Sequence, residues 1–307
     1  MSIDWHIMRG AADGTDLFCA EHTLQTSPLF SDSALEALLD AYPRERLGIW
    51  TFGAYGEDED RPVRGTADGL TGAEIMQAVR GGRIWLNLRA TNDLVRDYAG
   101  VADDIFDSLQ ARMGHRAIKR DMSVLISSPG IHVHYHLDIP LVALLQIRGT
   151  KTLHLYPATD RFAPTERLEA IALGEGDESL FFDPSFEEAA QKVELSPGTG
   201  LSWPQNAPHR VQNGDMVNVS LSCEFMTWPA LFRANALYAN ARLRRSIGAR
   251  PGRPGEPGVA TFGKVVLARA MKKLERRKPG PAGTPAGFAL DLSYPGCTRP
   301  IDRSAQQ

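Results

Sequence analysis

Hydrophobic residues in the first third of the chain recur mainly at the three- and four-residue spacing of amphipathic helices. One stripe, at positions 35–42, follows capping serines and ends before a proline. Thr71 and Glu74 have the spacing of a capping box at the start of another helix. Ile84–Leu88 alternates between apolar and other residues, which predicts a strand. Residues 1–120 are therefore predicted to form a helical region, with loops, that packs on a core.

The pattern changes near residue 121, where short apolar runs separated by turn residues replace the helical spacing. Glycine-containing pairs such as Pro129-Gly130, Arg148-Gly149 and Asn213-Gly214 separate several of the runs. Many short strands at this spacing are typical of a double-sheet jelly roll. We predict a mainly β protein with flanking helices and a double-stranded β-helix core at residues 121–228. Its strands are predicted at 123–127, 132–138, 142–147, 152–156, 201–203, 209–212 and 217–225, with a partly helical insertion at 158–190.

Helical spacing returns in residues 229–307. Two amphipathic segments, one after Trp228 and one at 259–278, are separated by the sequence RPGRPGEPG, which cannot be regular structure throughout. The tail is rich in proline and glycine and is predicted to be extended. The apolar stripes of the two helices predict either a homodimer interface or packing against the same chain, and the sequence allows both.

Composition and charge exclude some classes of protein. The chain has 307 residues and a formal net charge of −3. Residues 241–280 contain twelve Lys or Arg and two acids, but such a patch is usually a solvated surface, so a nucleic-acid partner is not expected. The three cysteines lack the spacing of a zinc site or a disulfide framework. With no secretory signal pattern and no apolar run long enough to span a bilayer, we predict a cytoplasmic protein with no membrane association.

The candidate chemistry lies in the triplet His136-Leu137-Asp138 and in His209, 71 residues after the Asp. Side chains two apart on a strand share a face, so His136 and Asp138 are placed to bind one ion. Two imidazoles and one carboxylate leave other coordination positions open, as in non-haem iron(II) sites. If that face is exposed, these groups are only solvated. If it is buried, each needs a partner, and a metal ion supplies one to all three.

Lys151 follows Asp138 by thirteen residues. As the residue after a turn it is either a surface lysine or, by alternation with Leu153 and Leu155, a lysine on the apolar side of a strand. A lysine on an inward face requires an anion. A dicarboxylate bound to the metal would provide that anion.

Several motifs resemble the JmjC and cupin-like hydroxylases, and the branch of factor-inhibiting-HIF-type protein hydroxylases in particular. The resemblance lies in HLD at 136–138, QIRGTK at 146–151 and LYP at 155–157, with the same step from Asp to Lys. It extends to PQNAPHRV at 204–211 and SLSCEF at 220–225, and covers about residues 120–228.

The resemblance implies that Fe(II) is bound by His136, Asp138 and His209. It also implies that 2-oxoglutarate chelates the iron and places its far carboxylate on Lys151. The implied activity is hydroxylation of a C–H bond in an unidentified substrate, a protein side chain or a small molecule, coupled to decarboxylation of 2-oxoglutarate to succinate.

The chain departs from the family pattern at a few positions. Val142 and Glu224 stand where the family often has asparagine, and a carboxylate at 224 would be unfavourable near the anionic end of the co-substrate. His132 and His134 are additional histidines beside the triplet, for which support of the metal ligands is the favoured role. Asn87 and Arg89 are either part of the pocket mouth or an exposed strand face.

Two other functions fit the same residues. One is a metal-dependent cupin enzyme that uses iron, manganese or zinc without 2-oxoglutarate. The other is a JmjC-like binding protein that keeps the fold and has lost the chemistry. Release of succinate from 2-oxoglutarate distinguishes the predicted oxygenase from both.

Overall fold

A computed structural model describes residues 2–9, 16–52, 62–249, 251–254, 259–274 and 285–302. Its helices are α1 (Asp32–Ala41), α2 (Gly72–Gly81), α3 (Thr91–Leu94), α4 (Ala99–Met113), α5 (Thr165–Ala172), α6 (Trp228–Ile247) and α7 (Val259–Leu274). Its strands are β1 (Ile3–Arg9), β2 (Asp16–His22), β3 (Leu47–Phe52), β4 (Pro62–Thr66), β5 (Ile84–Leu88), β6 (Ile118–Ser127), β7 (His132–His136), β8 (Leu141–Arg148), β9 (Lys151–Leu155), β10 (Gln191–Leu195), β11 (Thr199–Trp203), β12 (His209–Asn213), β13 (Asn218–Met226), β14 (Phe288–Leu290) and β15 (Thr298–Pro300).

Strands β6 to β13 form a double-sheet jelly roll. Four of them, β11, β8, β13 and β6, are neighbours in a large sheet, and the other four form a small sheet in the order β10, β9, β12, β7. All pairings within these two sets are antiparallel, and the chain passes repeatedly from one sheet to the other. The prediction of a mainly β fold with flanking helices and a double-stranded β-helix core is confirmed.

The space between the two sheets is filled from alternate positions of the facing strands. Val142 and Leu144 of the large sheet pack with Leu153 and Leu155 of the small sheet and with Trp203. The intervening residues of β8 point the other way, into a larger core that the helices of residues 32–113 cover. This alternation defines an inner face on each sheet, and the candidate residues must lie on these faces to meet.

The prediction of a helical region for residues 1–120 is incomplete, because the region also contributes β1 to β5 to the large sheet. In β1 the apolar residues Ile3, Trp5 and Ile7 alternate with polar residues, as in a strand, and β1 pairs with β2 at the sheet edge. The polar, glycine-rich composition of 53–69 predicts a loop; residues 53–61 lie outside the described residues, but 62–66 form β4, which pairs with β3. Of β1 to β5, only β5 was predicted as a strand.

The two capped helices begin where the sequence predicts. The Ser31 hydroxyl accepts a hydrogen bond from the backbone at the start of α1, and Thr71 and Glu74 form the complete capping box of α2. The apolar spacing of Leu94, Tyr98, Val101, Ile105 and Leu109 predicts one long helix from Thr91. The structure breaks it into α3, a 3-10 turn at Arg96–Tyr98, and α4. The break occurs at Val95, whose backbone is extended.

The remaining segments follow the predicted outline, with additions. The insertion at 158–190 contains α5 as predicted, but β10, which follows it, was missed. α6 and α7 form the two C-terminal helices, and the predicted linker and the end of the second helix lie partly outside the described residues. The tail is extended and adds β14 and β15 to the edge of the large sheet. That sheet therefore contains strands from all three predicted segments.

No helix among the described residues is both long and apolar enough to cross a membrane.

Gly72 at the start of α2 is expected to be indispensable for the packing of α2 on α1. A Cβ atom there would lie 2.0 Å from the Glu36 carbonyl oxygen. We expect Gly72→Ala to lower the free energy of unfolding by about 1–3 kcal/mol, since overpacking forces the backbones apart. Gly100→Ala in α4 is the control, because a Cβ atom there meets nothing within 4 Å. It should raise stability by up to about 1 kcal/mol. Equal stability of the two variants in urea unfolding would contradict the packing.

Candidate metal centre

The structure brings His136, Asp138 and His209 together on the inner face of the small sheet. His136 is the last residue of β7 and is the direct cross-strand partner of His209, the first residue of β12. Asp138 follows β7 by two residues. One ligand atom from each of the three lies within 4.8 Å of the others. The pairing of β7 with β12 thus brings together Asp138 and His209, which are 71 positions apart in the sequence.

Backbone carbonyls hold both imidazoles in the same tautomer. Nδ1 of His136 donates to the His134 carbonyl at 2.7 Å, and Nδ1 of His209 donates to the Ala207 carbonyl at 3.2 Å. A carbonyl can only accept, so each Nδ1 carries the proton and each Nε2 keeps its lone pair. A neutral imidazole whose second nitrogen is fixed in this way is the usual form of a histidine ligand.

The lone pairs of the cluster converge on a common point. Nε2 of His209 lies 3.4 Å from Oδ2 of Asp138, and the rings of His136 and His209 are 4.2 Å apart. Burial lowers the pKa of His209 to about 4 and the pKa of His136 well below its ordinary value. Neither imidazole therefore supplies positive charge at neutral pH, and the facing acceptors repel each other unless a cation lies between them.

The pKa of the Asp138 carboxyl also indicates that a positive charge would be favourable at this place. Burial raises its pKa well above the ordinary value, and the nearby carboxylates of Glu178 and Glu224 raise it further. A bound divalent cation would reverse this effect, because it stabilises the carboxylate and accepts the imidazole lone pairs. Two histidines and one carboxylate that converge from one side fit a metal ion with open positions.

The additional histidines do not join the ligand cluster. The ring of His134 is 5.4 Å from that of His136, its Nε2 is 2.8 Å from the Ser179 hydroxyl, and its carbonyl orients His136. This agrees with the expected supporting role. Alternation along β7 predicts His132 and His134 on the face of His136. The rings of His132 and His134 both lie against Phe52, at centroid distances of 6.4 and 6.1 Å. The pairing of β7 with β12 shifts by one residue, and His132 pairs with Gln212.

Glu224 lies at the metal end of the space between the sheets, away from Lys151. It pairs with Val142 across β8 and forms an ion pair of 3.2 Å with Arg89. Ser220, which marks the Lys151 end of the same strand, is four residues away, or about 13 Å at the usual rise of a strand. The predicted conflict between Glu224 and a carboxylate on Lys151 is therefore absent. Arg89 lies at the mouth with Glu224, as one of the two readings of its strand predicted.

Lys151 is buried, with 4% of its surface exposed, so it is not a surface lysine. It shares the inner face with Leu155, the cross-strand partner of His209, and lies about 13 Å from it along β9. No ion pair joins it to any residue that the structure describes. Burial lowers its pKa to about 8. A buried ammonium group without a carboxylate partner favours an anion beside it.

Some residues near the cluster were not anticipated. Ser179 forms an isolated β-bridge with His136, and the neighbouring Glu178 carbonyl accepts from the Leu137 amide. The insertion at 158–190 thus forms a wall of the site. No local pattern pointed to this contact, because it depends on how the insertion folds back on β7.

Fold and site together define the class: a double-sheet jelly-roll protein with a two-histidine, one-carboxylate cluster between its sheets. No family model matches the chain, and no curated protein sequence matches it.

Solved structures of YcfD from Escherichia coli are similar to it. The first has 16% identity and a TM-score of 0.44, and the match covers 83% of this chain and 62% of that one. A crystal structure described as the ribosomal oxygenase YcfD has 17% identity and a TM-score of 0.44, with 83% and 60% covered. A YcfD complex with cobalt and 2-oxoglutarate has 18% identity and a TM-score of 0.42, with 82% and 60% covered. The chain therefore spans less than two thirds of these proteins, and a likeness at this level assigns neither activity nor ligand to it.

The cluster is expected to bind a divalent transition metal with one ion per chain. Because binding to the folded state alone is stabilising, Mn(II) at a hundred times its dissociation constant should raise the free energy of unfolding by about 2.7 kcal/mol. His136→Ala and His209→Ala should lose this increment. His115→Ala should keep it, since His115 is exposed and outside the cluster. Denaturant unfolding with and without Mn(II) measures the increment, and an equal increment in all four proteins would exclude the site.

Proposed function

We propose that this chain is an Fe(II)- and 2-oxoglutarate-dependent oxygenase that hydroxylates a C–H bond of an unidentified substrate. One observation carries the proposal. A cluster of two neutral imidazoles and one carboxylate shares an inner face with Lys151, a buried lysine that has no ion pair among the described residues. The first group of residues suits a divalent metal and the second suits an anion on the same side of the sheet.

The ligand set favours iron over metals that prefer closed sites. Two histidines and one carboxylate occupy one side of an ion and leave positions for a chelating co-substrate and oxygen. When bound, iron would supply the redox chemistry that couples oxidative decarboxylation of 2-oxoglutarate to substrate hydroxylation. His136, Asp138 and His209 would hold it. The carbonyls of His134 and Ala207 would orient the two imidazoles through their Nδ1 protons.

Lys151 supplies the argument for a dicarboxylate co-substrate. Lys151 is buried on the face of β9 that it shares with Leu153 and Leu155, where an ion pair is screened less than at the surface. The about 13 Å between Lys151 and the cross-strand partner of His209 leave room for a small linear diacid between the ammonium group and the metal. The far carboxylate would neutralise Lys151, and the near end would reach the metal.

The surrounding residues would keep water from the reaction. Trp203 packs against the His209 ring at 4.8 Å, and Leu155 is buried beside it. Arg89 and Glu224 form an exposed ion pair at the mouth, where a substrate would enter. Buried surroundings of this kind would strengthen the electrostatic interactions on which binding of the co-substrate depends.

Assay of co-substrate turnover tests the proposal against its two alternatives. Protein reconstituted with Fe(II) and ascorbate should release succinate from 2-oxoglutarate, even without its substrate, in a reaction that His136→Ala abolishes. A metal-dependent enzyme that does not use 2-oxoglutarate would bind metal and release no succinate. A non-catalytic protein would release none under any condition, and failure to bind metal as well would identify it.

Lys151→Ala is expected to weaken 2-oxoglutarate binding while metal binding is retained. Truncating one partner of a buried charge pair costs about 2–5 kcal/mol, which corresponds to a rise of roughly thirtyfold or more in the apparent KM for 2-oxoglutarate. Succinate release at increasing 2-oxoglutarate measures the effect.

Lys192→Ala is the matched control for Lys151→Ala. Lys192 lies on the adjacent strand β10, but it is 56% exposed and pairs with Glu187 at 3.0 Å. Its loss should leave the KM unchanged. If Lys151→Ala and Lys192→Ala behaved alike, another cation would have to bind the co-substrate.

We also propose that two copies associate through the C-terminal helices. α6 and α7 contact each other, yet α7 exposes Phe262 and Val266 with 59% and 54% of their surfaces accessible. Exposed apolar residues on one helix face are typical of an interface. Val266→Asp should halve the mass measured by light scattering if the wild type is a dimer, whereas Lys264→Glu on the same helix should not.

We further propose a reducing, cytoplasmic location. All three cysteines are free in the structure, and Cys223 is buried. This is the usual state in a reducing compartment.

A further inference from the structure

A buried amide network lies directly beside the turn that leads into Lys151. The side chain of Gln146 is fully buried. Its Nε2 lies 2.6 Å from the Arg148 carbonyl oxygen, 3.1 Å from that of Gly149 and 2.7 Å from Oδ1 of Asn218, so its two protons are shared among three acceptors. Its Oε1 accepts from the Ser220 hydroxyl at 2.7 Å. The amide therefore connects β8, the turn after β8, and β13.

The turn between β8 and β9 needs such a partner because its carbonyls point into the protein. Gly149 has a φ of 67°, a conformation that favours glycine. A Cβ atom on Gly149 would lie 2.8 Å from Nδ2 of Asn218, so the turn fits closely against the network. Unpaired carbonyls in this place would be costly. Gln146 satisfies them and thereby fixes the backbone two residues before Lys151.

A second buried amide holds Lys151 from the opposite strand. Asn213 is the direct cross-strand partner of Lys151 in the pairing of β12 with β9. Its Nδ2 donates to the Ser127 hydroxyl at 2.8 Å and to the Ser128 carbonyl at 3.1 Å, both in or next to β6 of the large sheet. Asn213 therefore joins the two sheets at the level of Lys151.

We propose that Gln146 and Asn213 are positioning residues for the Lys151 ammonium group, and that they set the affinity of the chain for the far carboxylate of the co-substrate. This inference rests on the proposed function, because 2-oxoglutarate is the anion concerned. A lysine has a long, flexible side chain, and ordering it on binding reduces affinity. The two amides restrain the backbone of Lys151, one from the preceding turn and one from the paired strand, so only the side chain remains to be ordered when the anion binds.

The network donors are not themselves available to the anion. The Nε2 protons of Gln146 and the Nδ2 group of Asn213 are directed at carbonyl, amide and hydroxyl oxygens of the protein. Their influence on the ligand is therefore exerted through Lys151. This distinguishes positioning from direct contact, and it predicts that loss of an amide matters only while Lys151 is present.

The test is calorimetric titration of 2-oxoglutarate into the Mn(II)-loaded full-length protein, with Mn(II) binding measured separately. Gln146→Ala and Asn213→Ala should each weaken 2-oxoglutarate binding at least tenfold and leave Mn(II) affinity unchanged. In a Lys151→Ala background, Gln146→Ala should produce no further loss. Should Gln146→Ala not fold, Gln146→Glu removes the same donor with little change of volume and carries the same expectation.

Leu145→Ala is the control for general destabilisation. Leu145 neighbours Gln146 on β8, is fully buried and faces the opposite core. Its truncation should lower the unfolding midpoint without changing 2-oxoglutarate affinity. Folded amide variants with wild-type affinity for 2-oxoglutarate would overturn the inference alone. Wild-type protein that binds Mn(II) but no 2-oxoglutarate would overturn the proposed function, and the inference with it.

Discussion

The pairing of β7 with β12 is the contact on which the candidate centre depends. It places His136 opposite His209, and the carbonyl two residues before each histidine fixes its imidazole tautomer. Asp138 follows from the same strand end. Three groups that would each be costly to bury alone are thereby collected in one place. The rest of the jelly roll, including the large sheet behind β8 and β13, holds this pair of strands in register and keeps the space beside it apolar.

The space between the sheets divides into two chemical environments along the strands. One end contains the imidazoles and carboxylate of the cluster, and nearby carboxylates there raise the pKa of Asp138. At the other end, Lys151 is buried beside a turn and a strand that neutral amides hold in place, and no ion pair joins it to a described residue. Burial of these groups lowers the free energy of unfolding at both ends. A cation bound at one end and an anion bound at the other would offset that cost, so their binding is favoured.

Local chemistry made part of this fold predictable. The capping box of Thr71 and Glu74 and the strand positions between 123 and 225 follow from short-range pattern, and the structure agrees. The HxD triplet indicated that its histidine and aspartate would lie close together, because residues two apart on a strand share a face. What could not be predicted depends on long-range pairing. The pairing of β4 with β14 of the tail and the contact of Ser179 with His136 involve partners far away in sequence. The role of Gln146 could not be predicted either, because the presence of an amide in a motif does not indicate which carbonyls it will hydrogen-bond.

The one-residue irregularity in β7 has consequences for how this protein can change. Val133 and His136 are separated by an odd number of positions, yet both face inward, because β7 has three steps where β12 has two. Such a bulge re-aims the side chains that follow it. Loss of one of the two residues between Val133 and His136 would leave two steps on each strand, and His136 would still lie opposite His209. The extra residue is therefore not required for the pairing of the two histidines, and the strand could change in length here while both keep their places.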